Sequence, residues 1–408
     1  MKTKPQTSAV PDKKTESLLN AVARRESVHI QAFTDFPSAL ISLVEEGISS
    51  FDHGQFLPKL RVFHDFGERT DFLSRLILSP KRQAEPVPEW VNRILGIKEF
   101  CLAINGMSAW NDRLHDMVFD IFVEPFVGRF GVPLKPFDVY LFCGTYPLTP
   151  FGVHSDSEDS ILLHLGPNTK EAFVWPGDIY DRIVRGTERR VNLFDVDKIS
   201  HEAMHIKLRP GDVLYIPKRV HHVMANGKFS YTLGFIPNPV SSAQVLPLLA
   251  REAAEGLDEA DCSFLPGLNG SSWHPMLETV AQIFSLDELR HAAARLLARS
   301  RSNGYLAPAP AHLRTCGGEG IYARTLRYPL EYLRDGNWLR LFVRGRELKL
   351  PALDDLRAAF DMFRTGERLS LSGFVSMTSR SLEAAAAIAI LRRLVELGGI
   401  EESCIDFA

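Results

Sequence analysis

From residue 17 to 135, apolar residues recur at three- and four-residue spacing, as in SALISLVEEGI (38–48) and WNDRLHDMVFDIFVEPFVGRF (110–130). This spacing predicts a helical lead-in with turns between the helices. From 136 to 238 the texture changes to short aliphatic or alternating runs, DVYLFCG, SILLHLG, EAFVWPG, MHIKLRPGD, VLYIP and SYTLGFIP, each bounded by Gly, Pro, Asn or Asp. Runs punctuated in this way predict an antiparallel all-β unit with tight turns, a barrel or a sandwich. Helical spacing returns over 239–300, in VLPLLAREAAEGL and in SLDELRHAAARLLARS, where Ser285 and Glu288 stand at capping-box spacing. A mixed Gly- and Pro-rich linker over about 301–337 leads to a hairpin-like WLRLFVRGRELKLP, an amphipathic LDDLRAAFDMF and a long Ala-rich helix ending at Gly398-Gly399.

Composition narrows the class. The chain has 408 residues, too many for one typical core, with 45% hydrophobic and 24% charged residues and a formal net charge of -3. Those values predict a multidomain globular protein and exclude wholesale disorder. The charge gives no chain-wide bias toward nucleic acid. The five cysteines are scattered and share no CxxC spacing, which argues against a disulfide framework or a structural zinc site. Residues 1–16 are polar and Lys/Pro-rich, lack the apolar stretch of a secretory signal, and read as a disordered leader. No apolar run approaches the ~20 residues that span a bilayer, so the expected compartment is the cytoplasm, with no membrane partner.

The chemistry lies in Val153-His154-Ser155-Asp156 at the entrance to the β region and in IPKRVHH near its end. Residues i and i+2 of a strand point the same way, so His154 and Asp156 can chelate one ion from one strand end. A third ligand must come from a distant strand folded alongside, and His221 and His222 both stand there. Two imidazoles and one carboxylate on one face, with other positions open, is the donor set of non-haem Fe(II) centres that activate oxygen.

Residues 137–238, containing PFGVHSDSEDSILLHLGPNTKEAFVWPGD and IKLRPGDVLYIPKRVHHVMANGKFSYTLGF, resemble the JmjC-type, cupin-fold Fe(II)- and 2-oxoglutarate-dependent oxygenases. The resemblance implies His154, Asp156 and His222 as iron ligands, since the family's distal histidine stands five residues after the proline that corresponds to Pro217. It implies Lys170, ahead of Phe173 in a register one residue looser than the family's, as the cation for the distal carboxylate of 2-oxoglutarate. Ser230, Thr232 and Tyr140 are the candidate hydrogen-bonding partners of that cosubstrate. Tyr180, Asp181 and Arg182, near the expected barrel mouth, are candidate substrate contacts. His164 reads as a packed core histidine, and His201 and His205 as surface residues.

The expected class is therefore α+β: a double-stranded β-helix (cupin/JmjC) barrel over 136–238 behind N-terminal helices over 17–135, then a helical segment over 239–300. The elements over 301–408 resemble a winged-helix module. That order is similar to the ribosomal oxygenases, which implies a protein or peptide substrate hydroxylated on an amino-acid side chain and a homodimer formed through the helical segment. A free amino acid or other small metabolite is the alternative substrate, and a non-catalytic cupin-like binding protein the alternative of another class. Arg324, Arg327, Arg334, Arg340, Arg344, Arg346 and Lys349 form a local basic excess, which reads as a solvated face rather than a nucleic-acid interface.

Overall fold

The computed structural model describes residues 12–50, 60–186, 195–255, 281, 285–308, 320–324 and 327–403. The chain divides into two compact units, one containing residues up to 131 and 137–238, the other 132–136 and 239 onward.

The first unit carries the strands β1 (Val28–Ile30), β2 (Leu60–His64), β3 (Gly67–Glu68), β4 (Phe100–Asn105), β5 (Asp138–Tyr146), β6 (Ser160–Pro167), β7 (Lys170–Trp175), β8 (Met204–Leu208), β9 (Val213–Ile216) and β10 (His221–Ile236). Its helices are α1 (Lys13–Arg24), α2 (Pro37–Ser49), α3 (Thr70–Leu78), α4 (Val87–Leu95), α5 (Asp112–Val118), α6 (Glu124–Phe130) and α7 (Ile179–Gly186). The large antiparallel sheet runs β1-β9-β6-β10-β5-β4-β2-β3, and β7 pairs with β8 and with β10. The first half of β10, His221–Ala225, lies against β7, and the second half, Ser230–Ile236, between β5 and β6. One long strand thus belongs to two sheets. Leu162, Leu214 and Ile216 from one and Ala172, Val174, Ile206, Leu208 and Met224 from the other pack into a single buried cluster, so the sheets face each other.

Two expected boundaries move. The leader ends earlier than 16, because α1 begins at Lys13 with Asp12 as its cap, its carboxylate accepting from the Thr15 amide at 2.7 Å; residues 1–11 lie outside the described residues. The lead-in is not purely helical. β4 pairs with β5 and β2 with β4, and β1 pairs with β9, so these segments extend the sheet and share one unit with it. Phe100–Ile104 is buried at every position, which removes the alternation that would mark a strand.

The second unit contains α8 (Ser242–Ala254), α9 (Leu286–Arg301), α10 (Asp354–Thr365), α11 (Leu371–Thr378) and α12 (Ala384–Glu396) with β11 (Ile321–Arg324), β12 (Glu331–Asp335), β13 (Trp338–Val343), β14 (Arg346–Pro351), β15 (Leu369–Ser370) and β16 (Ile400–Ser403). Two of these strands fall inside the expected linker: β12 extends the hairpin into a three-stranded meander, and β11 sits between β15 and β16. Phe360, Phe363, Phe374 and Leu391 anchor a core of its own. Ser285 caps α9 as its spacing predicts, accepting from the Glu288 amide at 3.2 Å. In the basic stretch, Arg340 pairs with Asp335 at 2.7 Å and with Glu347 at 2.5 Å, Arg344 lies 3.7 Å from the Tyr328 ring centroid and Lys349 4.5 Å from that of Trp338. Among the described residues no helix is long and apolar enough to cross a membrane.

Candidate metal centre and its cavity

The turn Thr149–Gly152 is closed by the Gly152 amide donating to the Thr149 carbonyl at 2.9 Å, with Gly152 at φ 63°. This turn lays the following segment against β10. His154 and His222 exchange both backbone hydrogen bonds, at 3.1 and 2.8 Å, which sets their side chains next to each other. The Arg219 amide donates to the Asp156 carbonyl at 2.9 Å and the Lys218 amide to the Asp159 carboxylate at 2.8 Å, which pins the turn before β10 to the same segment.

The ligand atoms of His154, Asp156 and His222 all lie within 4.8 Å of one another. Nε2 of His154 is 3.7 Å and Nε2 of His222 3.6 Å from the Asp156 carboxylate. Each ring also has Nδ1 on a carbonyl, Gly152 at 2.9 Å and Val220 at 3.0 Å. A carbonyl only accepts, so both Nδ1 atoms donate and both Nε2 atoms are left on the side of the carboxylate. Burial, followed by the neighbouring His154, pushes the His222 imidazole down to about 4, so it is neutral at physiological pH. Two imidazoles and a carboxylate, the rings oriented by carbonyls behind them, fit a divalent transition metal with open positions. His221 faces the other way, its ring stacked on Tyr180 with centroids 4.2 Å apart.

The three residues sit on the wall of a cavity of about 490 Å³ between the sheets. Lys170, the first residue of β7, lines it at 2% exposure. Its Nζ donates to Oγ1 of Thr232 at 2.7 Å, and burial lowers its pKa to about 8. Among the described residues no carboxylate pairs with it. A buried ammonium that faces a cavity without an anion fits a ligand that brings one. Tyr140 also lines the cavity, hydrogen-bonded to Ser160. Its ring lies over Gly234, where a Cβ would meet the ring at 2.0 Å.

The remaining expected site residues fall elsewhere. The Ser230 hydroxyl, fully buried, donates to the Asn226 side chain at 2.8 Å, and that amide holds the Gly144 carbonyl; Ser230 does not line the cavity. Tyr180 packs in an apolar cluster with Trp175, Val196 and Ile199, and neither it nor Asp181 nor Arg182 lines the cavity. Arg182 pairs with Asp178 at 3.2 Å. Arg61, which reaches the cavity from β2, carries no local signal that would mark it as a site residue. Nor is Gly234 beneath Tyr140 marked, since a glycine within a strand run signals close approach without naming the neighbour.

No family model matches the chain, and no curated protein matches it by sequence. Among solved structures it is similar to ycfD of Escherichia coli, at a TM-score of 0.46 and 15% identity over 94% of this chain and 97% of that one. The same protein, described as a ribosomal oxygenase in complex with cobalt and 2-oxoglutarate, matches at 0.45 and 16%, over 94% and 98%. The non-heme alpha ketoglutarate dependent carbocyclase SnoK from nogalamycin biosynthesis matches at 0.34 and 14%, over 56% of this chain and 87% of that one.

Proposed function

We propose that this chain is an Fe(II)- and 2-oxoglutarate-dependent oxygenase of the JmjC/cupin type, and that it hydroxylates an amino-acid side chain in a protein or peptide. The observation that carries the reading is the joint presence, in one cavity, of a His154–Asp156–His222 donor set and a buried lysine that has no anionic partner among the described residues. 2-Oxoglutarate needs both: a metal for its 2-oxo acid end and a cation for its distal carboxylate. Bound together, Fe(II) and 2-oxoglutarate supply the activation of O2, with decarboxylation to succinate and CO2, that oxidises an unactivated C–H bond.

The residues of the chain supply binding, orientation and exclusion of water. His154, Asp156 and His222 hold the metal by one face. Lys170 draws the distal carboxylate to the far side of the cavity and fixes the cosubstrate's direction. Thr232 holds the ammonium in place, and Tyr140 closes the wall beside it. Phe142 and Phe151 line the rest with apolar surface, which keeps competing water from the reacting carbon. The half-exposed Asp156 marks the open side of the centre, by which a peptide side chain would enter. The second unit, read as a winged-helix-like module, is the proposed carrier of partner or substrate contacts.

The test is an anaerobic titration of the full chain with Fe(II) and 2-oxoglutarate, following the weak visible charge-transfer band of the chelate. The band is expected in the wild type and absent in Asp156→Ala and His222→Ala. An iron-replete wild type without the band removes the cosubstrate assignment and favours a binding protein.

A further inference from the structure

We propose that Arg61 is the anchor for an anionic group on the substrate, so that the side chain oxidised belongs to a carboxylate-bearing ligand; this rests on the oxygenase reading above. Arg61 lies on β2 and shares its face with Phe63, over an apolar wall that includes Cys101, Ala103 and Tyr146. Its guanidinium lies 5.6 Å from the Phe63 ring centroid and 5.8 Å from that of Phe151. The Phe151 ring stands edge-on to His154, at 5.4 Å between centroids. Phe151 thus contacts both Arg61 and the metal-site residue His154, and all three line the same cavity.

Other arginines of this unit are neutralised by acids: Arg93 by Glu85 at 2.5 Å, and Arg69 by Asp71 at 2.7 Å. Arg61 meets two rings and, among the described residues, no carboxylate. Cation–π contacts offset part of the charge but supply no oxygen acceptor for its five N–H donors. The cosubstrate does not fill that need. It has two carboxylates, one committed to the metal and the other to Lys170, on a strand that pairs with β8 and β10 rather than with β2. A cation in the same cavity is left over, and the next molecule to enter is the substrate. A planar, forked guanidinium selects a carboxylate, which it can hold through two parallel bonds.

The test uses the full chain loaded with Zn(II) and saturating 2-oxoglutarate, with binding followed by ligand-observed NMR. The probes are a blocked Gly-Glu-Gly tripeptide, its Gly-Gln-Gly and Gly-Arg-Gly counterparts, and free L-glutamate. The acidic tripeptide, or free glutamate if the source is a metabolite, is expected to bind roughly tenfold or more tightly than the glutamine tripeptide. Arg61→Met, which keeps apolar bulk between the rings, removes that preference while 2-oxoglutarate affinity by calorimetry stays within about twofold; Arg61→Lys restores part of it. Equal binding of the acidic and neutral tripeptides, or preference for the basic one, overturns the proposal. So does a loss of 2-oxoglutarate affinity in Arg61→Met as large as that in Lys170→Met, which would make Arg61 a cosubstrate ligand. A wild type that takes up no 2-oxoglutarate at all overturns the oxygenase reading first, and this one with it.

Discussion

Nζ of Lys170 and Oγ1 of Thr232 are 2.7 Å apart, and both residues are at 2% exposure. The hydroxyl gives the ammonium one oxygen where a carboxylate would ordinarily stand. Lys170 is thus poised for a ligand at the expense of the empty protein. Replacing it with Met removes a buried charge, so Lys170→Met is expected to raise the stability of the ligand-free protein by about 1–3 kcal/mol. The same change weakens 2-oxoglutarate binding roughly 10- to 100-fold. Thermal denaturation and calorimetry on one preparation check both signs.

The lowered pKa of Lys170 sets a pH dependence. Its folded value, about 8, is below the ordinary 10.5 because burial disfavours the ammonium. Below pH 8 both folded and unfolded states carry the charge and the burial penalty is fully present. As pH rises from about 8 toward 10.5 the folded state releases its proton first, so this residue's penalty is relieved and its contribution to stability rises. Cosubstrate affinity moves the other way, since the neutral amine no longer attracts a carboxylate. The dissociation constant for 2-oxoglutarate is expected to increase by up to about tenfold per pH unit above pH 8, and Lys170→Arg should remove that onset.

His164 determines which way the Thr232 hydroxyl points. Its Nε2 is 2.7 Å from the Asn168 carbonyl, which only accepts, so Nε2 carries the proton and Nδ1 a lone pair. Oγ1 of Thr232 lies 3.4 Å from that Nδ1. Burial, then Lys170, pushes the His164 imidazole down to about 4 and keeps it neutral. Thr232 therefore gives its proton to His164 and offers a lone pair to Lys170. Thr232→Val is expected to cut 2-oxoglutarate affinity roughly five- to tenfold, and Thr232→Ser to recover most of it. His164→Phe should show a loss similar to Thr232→Val, with the far-ultraviolet circular dichroism unchanged.

Gly234 makes room for Tyr140. A Cβ at this position would meet the ring at 2.0 Å, an overlap that rotation of the methyl cannot relieve. Gly234→Ala is expected to lower stability by about 1–3 kcal/mol and to drive Tyr140 into the cavity. A melting-point shift together with weakened 2-oxoglutarate binding is the checking observation.

Much of the centre was legible because its signals are local. The rule that i and i+2 share a strand face brings His154 and Asp156 together, and counting from Pro217 selects His222 over a neighbour whose ring turns to Tyr180. Ser230 and Thr232 stand at the same i, i+2 spacing but do not share one environment. Tyr231 pairs with Gly166 and Thr232 with His164, so the ladder skips Leu165, and the two hydroxyls enter different surroundings. β4 was hidden because its residues are buried at nearly every position and leave no alternation to read. Arg61 and Gly234 were invisible as site residues because their importance lies in partners far along the chain.

The sharing of β10 between two sheets has a metrical consequence. His222, proposed to hold the metal at one end of the cosubstrate, and Thr232, proposed to steady Lys170 at the other, belong to the same continuous run of backbone. The register shift between Asn226 and Ser230 is held by the Ser230–Asn226–Gly144 hydrogen bonds, so the span cannot lengthen by sliding. In the proposed complex this single strand sets the spacing between the metal ligands and the Lys170–Thr232 pair, and with it the length of diacid that can engage both.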